Sequence, residues 1–212
     1  MKGRNLRIID RNFFTVDAVE LAQKLLGKTL VRNVDGKLIK VKIVETEAYN
    51  GKIDRACHAH QENNSKWKAK ALYNWGGHAY IYLIYGMYYC FNIVSSVKGD
   101  PQGVLIRASE PLDGHTITIN DSNEKEKKIH YYTNGPGKLC RALSIDIKLN
   151  EVDLTISDLI YLENDLEVSK DKIIITKRIN IDYAGKDKDR LWRFYIKDNS
   201  FISRKCFINK LV

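Results

Sequence analysis

The run from residue 78 to 96, HAYIYLIYGMYYCFNIVSS, constrains the fold more than any other part of the chain. It is dense in Tyr, Ile and Val, and aromatic and β-branched side chains favour a pleated, half-buried surface. Gly86 sits at its middle. A glycine between two such runs predicts a tight turn, so the segment reads as two strands, 79–84 and 88–95, joined at Tyr85-Gly86-Met87. An isolated two-stranded hairpin is marginal in water. The chain must therefore supply more sheet or helix to cover one face.

The remaining pattern supplies both. Residues 16–26, VDAVELAQKLL, carry an apolar stripe of Val19, Leu21, Ala22 and Leu25, which predicts a helix. Thr15 is its expected cap, Asp17 its first-turn acid and Gly27 its end. KTLVRNVDGKLIKVKIVETEAY predicts a second hairpin turning at Asp35-Gly36. GVLIRA at 103–108 reads as a strand, and GPGKLCRALSI as a helix with Pro136 in its first turn. The tail carries strand-like stretches at 159–162, 172–179 and 191–196, with a loop at 183–190. Residues 50–78 show no period, and NDSNEKEKK reads as an exposed insertion. With no Pro/Gly/Ser-rich linker, the expectation is one domain of mixed α and β content.

Composition narrows the class. Hydrophobic residues make up 44% of the chain, enough for a core, and no apolar run is long enough for a membrane helix. The N-terminal MKGRNLRIIDRNFF carries charges through its apolar stretch, unlike a secretory signal. Four cysteines, 57, 90, 140 and 206, form no C-x-x-C, so reduced, buried thiols and a cytoplasmic setting are expected. Lys and Arg number 35 against 26 Asp and Glu, a net charge of +9. That excess suits a polyanionic partner, and equally a general bias toward lysine.

Several constellations could carry chemistry. Simple alternation puts Val41, Ile43, Glu45, Glu47 and Tyr49 on one strand face, running an apolar stripe into two carboxylates. A carboxylate at a strand end can act as a general base; equally, these acids could be solvated partners of Lys40 or Lys42. Asp54, Cys57, His58 and His60 have donor types that a metal accepts, without metal-finger spacing. The tyrosines at 80, 82, 85, 88 and 89 fit either a sheet core or base stacking. GPGK with Lys138 fits either a capped helix or a phosphate contact. G-x-S-x-G, H-E-x-x-H and G-x-G-x-x-G are absent.

Taken in order, LAQKLLGKTLVR, IVETEAYNG, Cys57-His58-Ala59, YIYLIYGMYYCFNIV, GVLIRASEPLDG, GPGKLCRAL, RINIDYAG, LWRFYI and SFISR resemble the 3-methyladenine (alkyladenine) DNA glycosylase family, over about residues 10–204. The resemblance implies a single α+β domain spanning 1–212. Its curved antiparallel β-sheet is flanked by helices, and the 79–95 hairpin protrudes into the minor groove. It also implies a monofunctional glycosylase that flips alkylated purines out of duplex DNA. Activated water then hydrolyses the N-glycosidic bond and leaves an abasic site for base-excision repair. Glu47 is the implied base, and Arg107 helps to hold the water, with the backbone near Ile181 touching it. Tyr49, His58 and Tyr82 contact the flipped base, and Asn92 disfavours guanine. Tyr85 fills the emptied space, and Met87 follows it on the hairpin; Lys138 as a phosphate contact rests on the GPGK pattern alone. No metal, cofactor, membrane or lyase step is implied; the expected state is a monomer bound to double-stranded DNA containing damaged purines.

The stretch SKWKAKALYNWGG departs from the family pattern. Lys68 stands where Arg is usual, Ala69 where Asn is, Leu72-Tyr73 where Met-Phe is, and Gly76 where Pro is. An alternative is a damaged- or bent-DNA binder of the same fold with little turnover. A second is a metal-dependent hydrolase built on Asp54, Cys57, His58 and His60.

Overall fold

The computed structural model describes residues 9–63, 66–112, 132–164 and 167–204, with backbone alone at 66–68. The NDSNEKEKK run, Cys206 and the Lys68 side chain lie outside the described residues. Both predicted hairpins form. β1 (Thr29–Val34) and β2 (Lys37–Asn50) pair antiparallel around Asp35 and Gly36, whose positive φ values of 50° and 85° suit a two-residue turn. β3 (Ala79–Ile84) and β4 (Tyr88–Val94) pair with Ile84 opposite Tyr88.

The architecture is α+β. Among the described residues an antiparallel sheet runs β3-β4-β5-β2-β1-β6, with β5 at Gln102–Pro111 and β6 at Ile160–Glu163. β7 (Ile173–Thr176) pairs with β8 (Arg193–Ile196), and β8 joins β2 at Glu45–Glu47. β2 is the spine: it pairs with β1 through its first half and with β5 and β8 through its second. Among the described residues three short α-helices accompany the sheet: α1 (Arg11–Phe14), α2 (Ala18–Lys24) and α3 (Pro136–Ala142).

α2 is shorter than its 16–26 pattern, and its cap is Asp17 rather than Thr15. The Asp17 side chain accepts from the Val19 N–H, whereas Thr15 closes α1. Pro136 occupies the start of α3 as expected. The 183–190 stretch is 3₁₀ turns over Asp182–Asp189, kinked at Gly185, rather than an open loop. The expected 172–179 strand stops at Thr176, and its last residues leave the sheet.

One face of the sheet carries the main core. Ala79 and Ile81 of β3, Phe91 and Ile93 of β4, and Val104 and Ile106 of β5 pack there with Leu21 of α2, Leu139 of α3 and Leu143 at its C-cap. Val41, Ile43 and Ala48 of β2 join them. The Thr46 hydroxyl also points this way, donating to the Ala22 carbonyl at 2.7 Å. Simple alternation thus fails in the middle of β2. The β2–β5 register shifts twice, leaving Val44 as the extra residue on β2 and Arg107 as the extra residue on β5. These bulges re-aim side chains. Glu45, Glu47 and Tyr49 emerge on the face opposite Val41 and Ile43; unbroken alternation would have driven both carboxylates into the apolar core.

Candidate active site

The face opposite the core opens into a cleft of ≈ 500 Å³. Period-two alternation supplies much of its wall. Tyr80 and Tyr82 of β3, Cys90 and Asn92 of β4, and Leu105 and Arg107 of β5 line it, each flanked by a residue of the main core. The turn at 56–58 and the segment 179–183 close the other side.

Glu47 is fully buried and does not line the cleft; it sits behind Tyr49, Arg107 and Ile179, which do. Its carboxylate accepts the Tyr49 hydroxyl at 2.7 Å and the Ile179 peptide N–H at 2.8 Å. Arg107 Nη1 stands 3.3 Å from Oε2. These contacts fix both oxygens from separate strands and a loop. The Tyr49 phenol is held well above its ordinary range, first by burial and then by the Glu47 carboxylate beside it, so it stays a donor.

Glu45 has a different environment. It accepts Arg107 Nε at 3.0 Å, Arg193 Nε at 2.7 Å, and the N–H and hydroxyl of Ser203 at 2.5 and 2.8 Å. Neither acid pairs with the neighbouring lysines: Lys40 bonds Glu163, and Lys42 bonds Glu110. Arg107 bridges the two carboxylates. Burial pulls its pKa down, but Glu47 and Glu45 together hold it above the ordinary value, so it remains a cation.

His58 and Tyr82 face each other edge-on, with ring centroids 4.5 Å apart, and His58 Nδ1 lies 2.8 Å from the Tyr80 hydroxyl. With Tyr49 they form an aromatic wall of the cleft. The Asn92 side chain is pinned by donating to the carbonyl of its cross-strand partner Tyr80 at 3.0 Å. The cysteines at 57 and 90 also line the cleft as buried thiols; burial pushes Cys57 up to about 12.

At the mouth, the β3–β4 turn stands into solvent. Tyr85 is 74% exposed and Met87 66% exposed, with Leu83 and Tyr88 also exposed. Tyr85 and Gly86 adopt positive φ values of 54° and 68°, a conformation that disfavours a side chain with Cβ at position 85. α3 begins beneath this hairpin. Gly137 approaches so closely that a Cβ there would stand 2.9 Å from the Tyr88 Cβ. Lys138 is half-buried, donating to Asn134 at 3.0 Å.

The Asp54, Cys57, His58 and His60 cluster does not converge. Asp54 is engaged by Arg178, and His58 turns to Tyr80. Among the described residues, no group of three or more His, Cys, Asp or Glu side chains is arranged to hold a metal. The divergent 66–76 stretch still builds wall: Ala69 and Leu72 are buried beside Tyr80, and Leu72 reaches the cleft. Gly76 is dictated by close approach, since a Cβ there would collide with the Phe14 carbonyl oxygen. Its N–H bonds the Ser96 carbonyl at 2.9 Å, which proline could not do. Tyr183, on the cleft rim, and Arg178 were not singled out by spacing or charge; both lie inside the quoted RINIDYAG block.

Comparison with known proteins finds similarity along most of the chain. Residues 12–200 match the family model described as methylpurine-DNA glycosylase (MPG). The chain is 47% identical over 195 residues to a protein of Natranaerobius thermophilus named "Putative 3-methyladenine DNA glycosylase", covering 92% of this chain and 98% of the relative. Relatives of the same name from Clostridium perfringens and Clostridium tetani are 46% and 47% identical, each match covering 93% of this chain and 99% of the relative.

Proposed function

The chain belongs to the methylpurine-DNA glycosylase family, and we propose that it is a metal-independent, monofunctional DNA glycosylase in which Glu47 activates the hydrolytic water. One observation carries this reading: a buried carboxylate, held by Tyr49, Arg107 and the Ile179 N–H, lies directly behind an aromatic cleft open at the Tyr85 hairpin. An alkylated purine rotated out of the duplex enters the cleft beside Tyr49, His58 and Tyr82. Asn92, fixed by Tyr80, crowds a guanine amino group. Tyr85 and Met87 occupy the space the base has left, and Lys138 meets backbone phosphate.

Water beside Glu47 attacks C1′ of the deoxyribose. The N-glycosidic bond breaks with its electron pair leaving on the purine, and the water proton passes to Glu47. The carboxylate also stabilises the positive charge that develops on the sugar. No lysine is needed as nucleophile, so the product is an abasic site rather than a broken strand. The substrate is double-stranded DNA, the working state a monomer and the compartment the cytoplasm. Among the described residues, no helix is long and apolar enough to cross a membrane.

The test is single-turnover base release from alkylated duplex DNA in EDTA, comparing wild type with Glu47→Gln. Free methylated purine from wild type alone is the expected result. Release abolished by EDTA would assign the chemistry to a metal. Tight damaged-DNA binding with no release from either protein would favour a binding protein without turnover.

A further inference from the structure

We propose that Arg178 is a positioning residue: anchored by Asp54, it sets the Tyr49 ring and the Ile179 N–H against Glu47. The inference rests on the reading of Glu47 and Tyr49 given above.

The Arg178 and Asp54 side chains are both fully buried. The guanidinium forms a fork on the carboxylate, Nη1 to Oδ2 at 2.5 Å and Nη2 to Oδ1 at 2.8 Å. The same two nitrogens reach further. Nη1 donates to the Ala48 carbonyl at 2.9 Å, and Nη2 to the Asp187 carbonyl at 3.1 Å. One side chain therefore ties the end of β2 to the turn at 54–57 and to the 182–189 segment. Its Cζ also lies over two rings, 4.7 Å from the centroid of Tyr49 and 5.2 Å from that of Trp192.

Its anchors at Ala48 and Asp54 lead to the site, as does the residue that follows it in the chain. Ala48 lies between Glu47 and Tyr49 in the chain. Ile179, the next residue after Arg178, gives Glu47 its peptide donor at 2.8 Å. Asp54 accepts the Ala56 N–H at 3.0 Å, and its carbonyl takes the Cys57 N–H at 3.0 Å, which shapes the turn presenting His58. A buried ion pair is seldom the most stable filling for such a space; apolar side chains of equal volume often do as well or better. What an apolar replacement could not do is hold four acceptors and two ring faces in one geometry.

Lysine keeps the charge but lacks the planar fork. In Arg178→Lys it cannot grip Asp54 while reaching both Ala48 and Asp187, so Tyr49 and the Ile179 N–H lose their registration. Small misplacements near reacting atoms cost on the order of 100-fold in rate.

The experiment is single-turnover base release from alkylated duplex at saturating enzyme, with wild type, Glu47→Gln, Arg178→Lys and Arg178→Ala measured together. A residue that only braces the fold changes the active fraction, which lowers the amplitude and leaves the rate constant intact. The expected result for Arg178→Lys is a rate constant reduced roughly 100-fold at near-full amplitude. Arg178→Ala is expected to recover in millimolar guanidinium, which refills the space vacated beside Asp54, and not in equal sodium. An Arg178→Lys rate constant within about threefold of wild type, or a loss confined to amplitude, overturns the inference, whether or not the alanine variant folds. Wild-type turnover in Glu47→Gln overturns the underlying reading instead.

Discussion

Glu45 and Glu47 stand two positions apart, both fully buried, and their partners separate their roles. Glu45 is the counter-ion of Arg107 and Arg193 and the acceptor for Ser203. Removing its charge takes the carboxylate from Arg193 Nε and leaves Arg107 with Glu47 alone, so Glu45→Gln is expected to lose about 3–5 kcal/mol of stability, read by denaturant unfolding. Glu47→Gln leaves Arg107 paired with Glu45, so its fold should survive while base release disappears; near-native turnover would sink the assignment. Asn92→Ser removes a side chain pinned by Tyr80. Its expected phenotype is a relaxed preference for adenine over guanine lesions, measured as the ratio of single-turnover rates on the two. An unchanged ratio would place the gate elsewhere. Of these residues, spacing marked both acids of ETEAY without separating them, and the family resemblance singled out Glu47 as the implied base. What only the fold shows is that Arg107, Arg193 and Ser203 reach Glu45 from distant parts of the chain.

At the scale of elements, the β3–β4 hairpin carries the clearest prediction. Its tip exposes Tyr85 and Met87, and Tyr85 holds a backbone conformation that a tyrosine rarely adopts. Tyr85→Ser should leave thermal stability almost unchanged, since the ring buries little. It should weaken binding to lesion-containing duplex by roughly tenfold or more, the worth of about one base–aromatic stack. Equal lesion affinity in the two proteins would remove the wedge role. The 66–76 stretch makes the opposite case, because there the packing is tight. Gly76→Ala forces a Cβ against the Phe14 carbonyl and is expected to cost roughly 1–3 kcal/mol, visible as a lowered denaturation midpoint. The hairpins were legible because their period and turn glycines are local signals. α1, the Asp17 cap and the early end of β7 were not. Each is decided by which backbone groups find partners once neighbouring elements have docked.

Across the whole molecule, the cleft is built from groups that resist losing a proton. Burial pushes Cys57 up to about 12 and raises Tyr49, Tyr80 and Tyr82 above the phenol range. In the unfolded chain these groups ionise near pH 9–10. Above that range the unfolded state binds fewer protons than the folded one, so stability falls as pH rises toward the folded-state values. The slope is about 1.4 kcal/mol per pH unit for each group that titrates in this way. Thermal midpoints should hold up to about pH 8.5 and then drop progressively through about pH 10.5, and a flat profile across that window would mean that these groups are solvated. The same chain shows what its sequence alone determined. The alternating runs and turn glycines pointed to the hairpins and to mixed α and β content, and the ordered motif blocks pointed to the family, whose resemblance implied the antiparallel sheet and the protruding hairpin. All of these follow from local periodicity and from strings of adjacent residues. Only the tertiary structure decided which side of β2 the carboxylates face, that Arg107 is shared between them, and that Arg178 and Asp54 meet beneath Tyr49. Paired bulges shift register without a signature in alternation, and a buried ion pair between residues so far apart exists only where the folded chain brings them together.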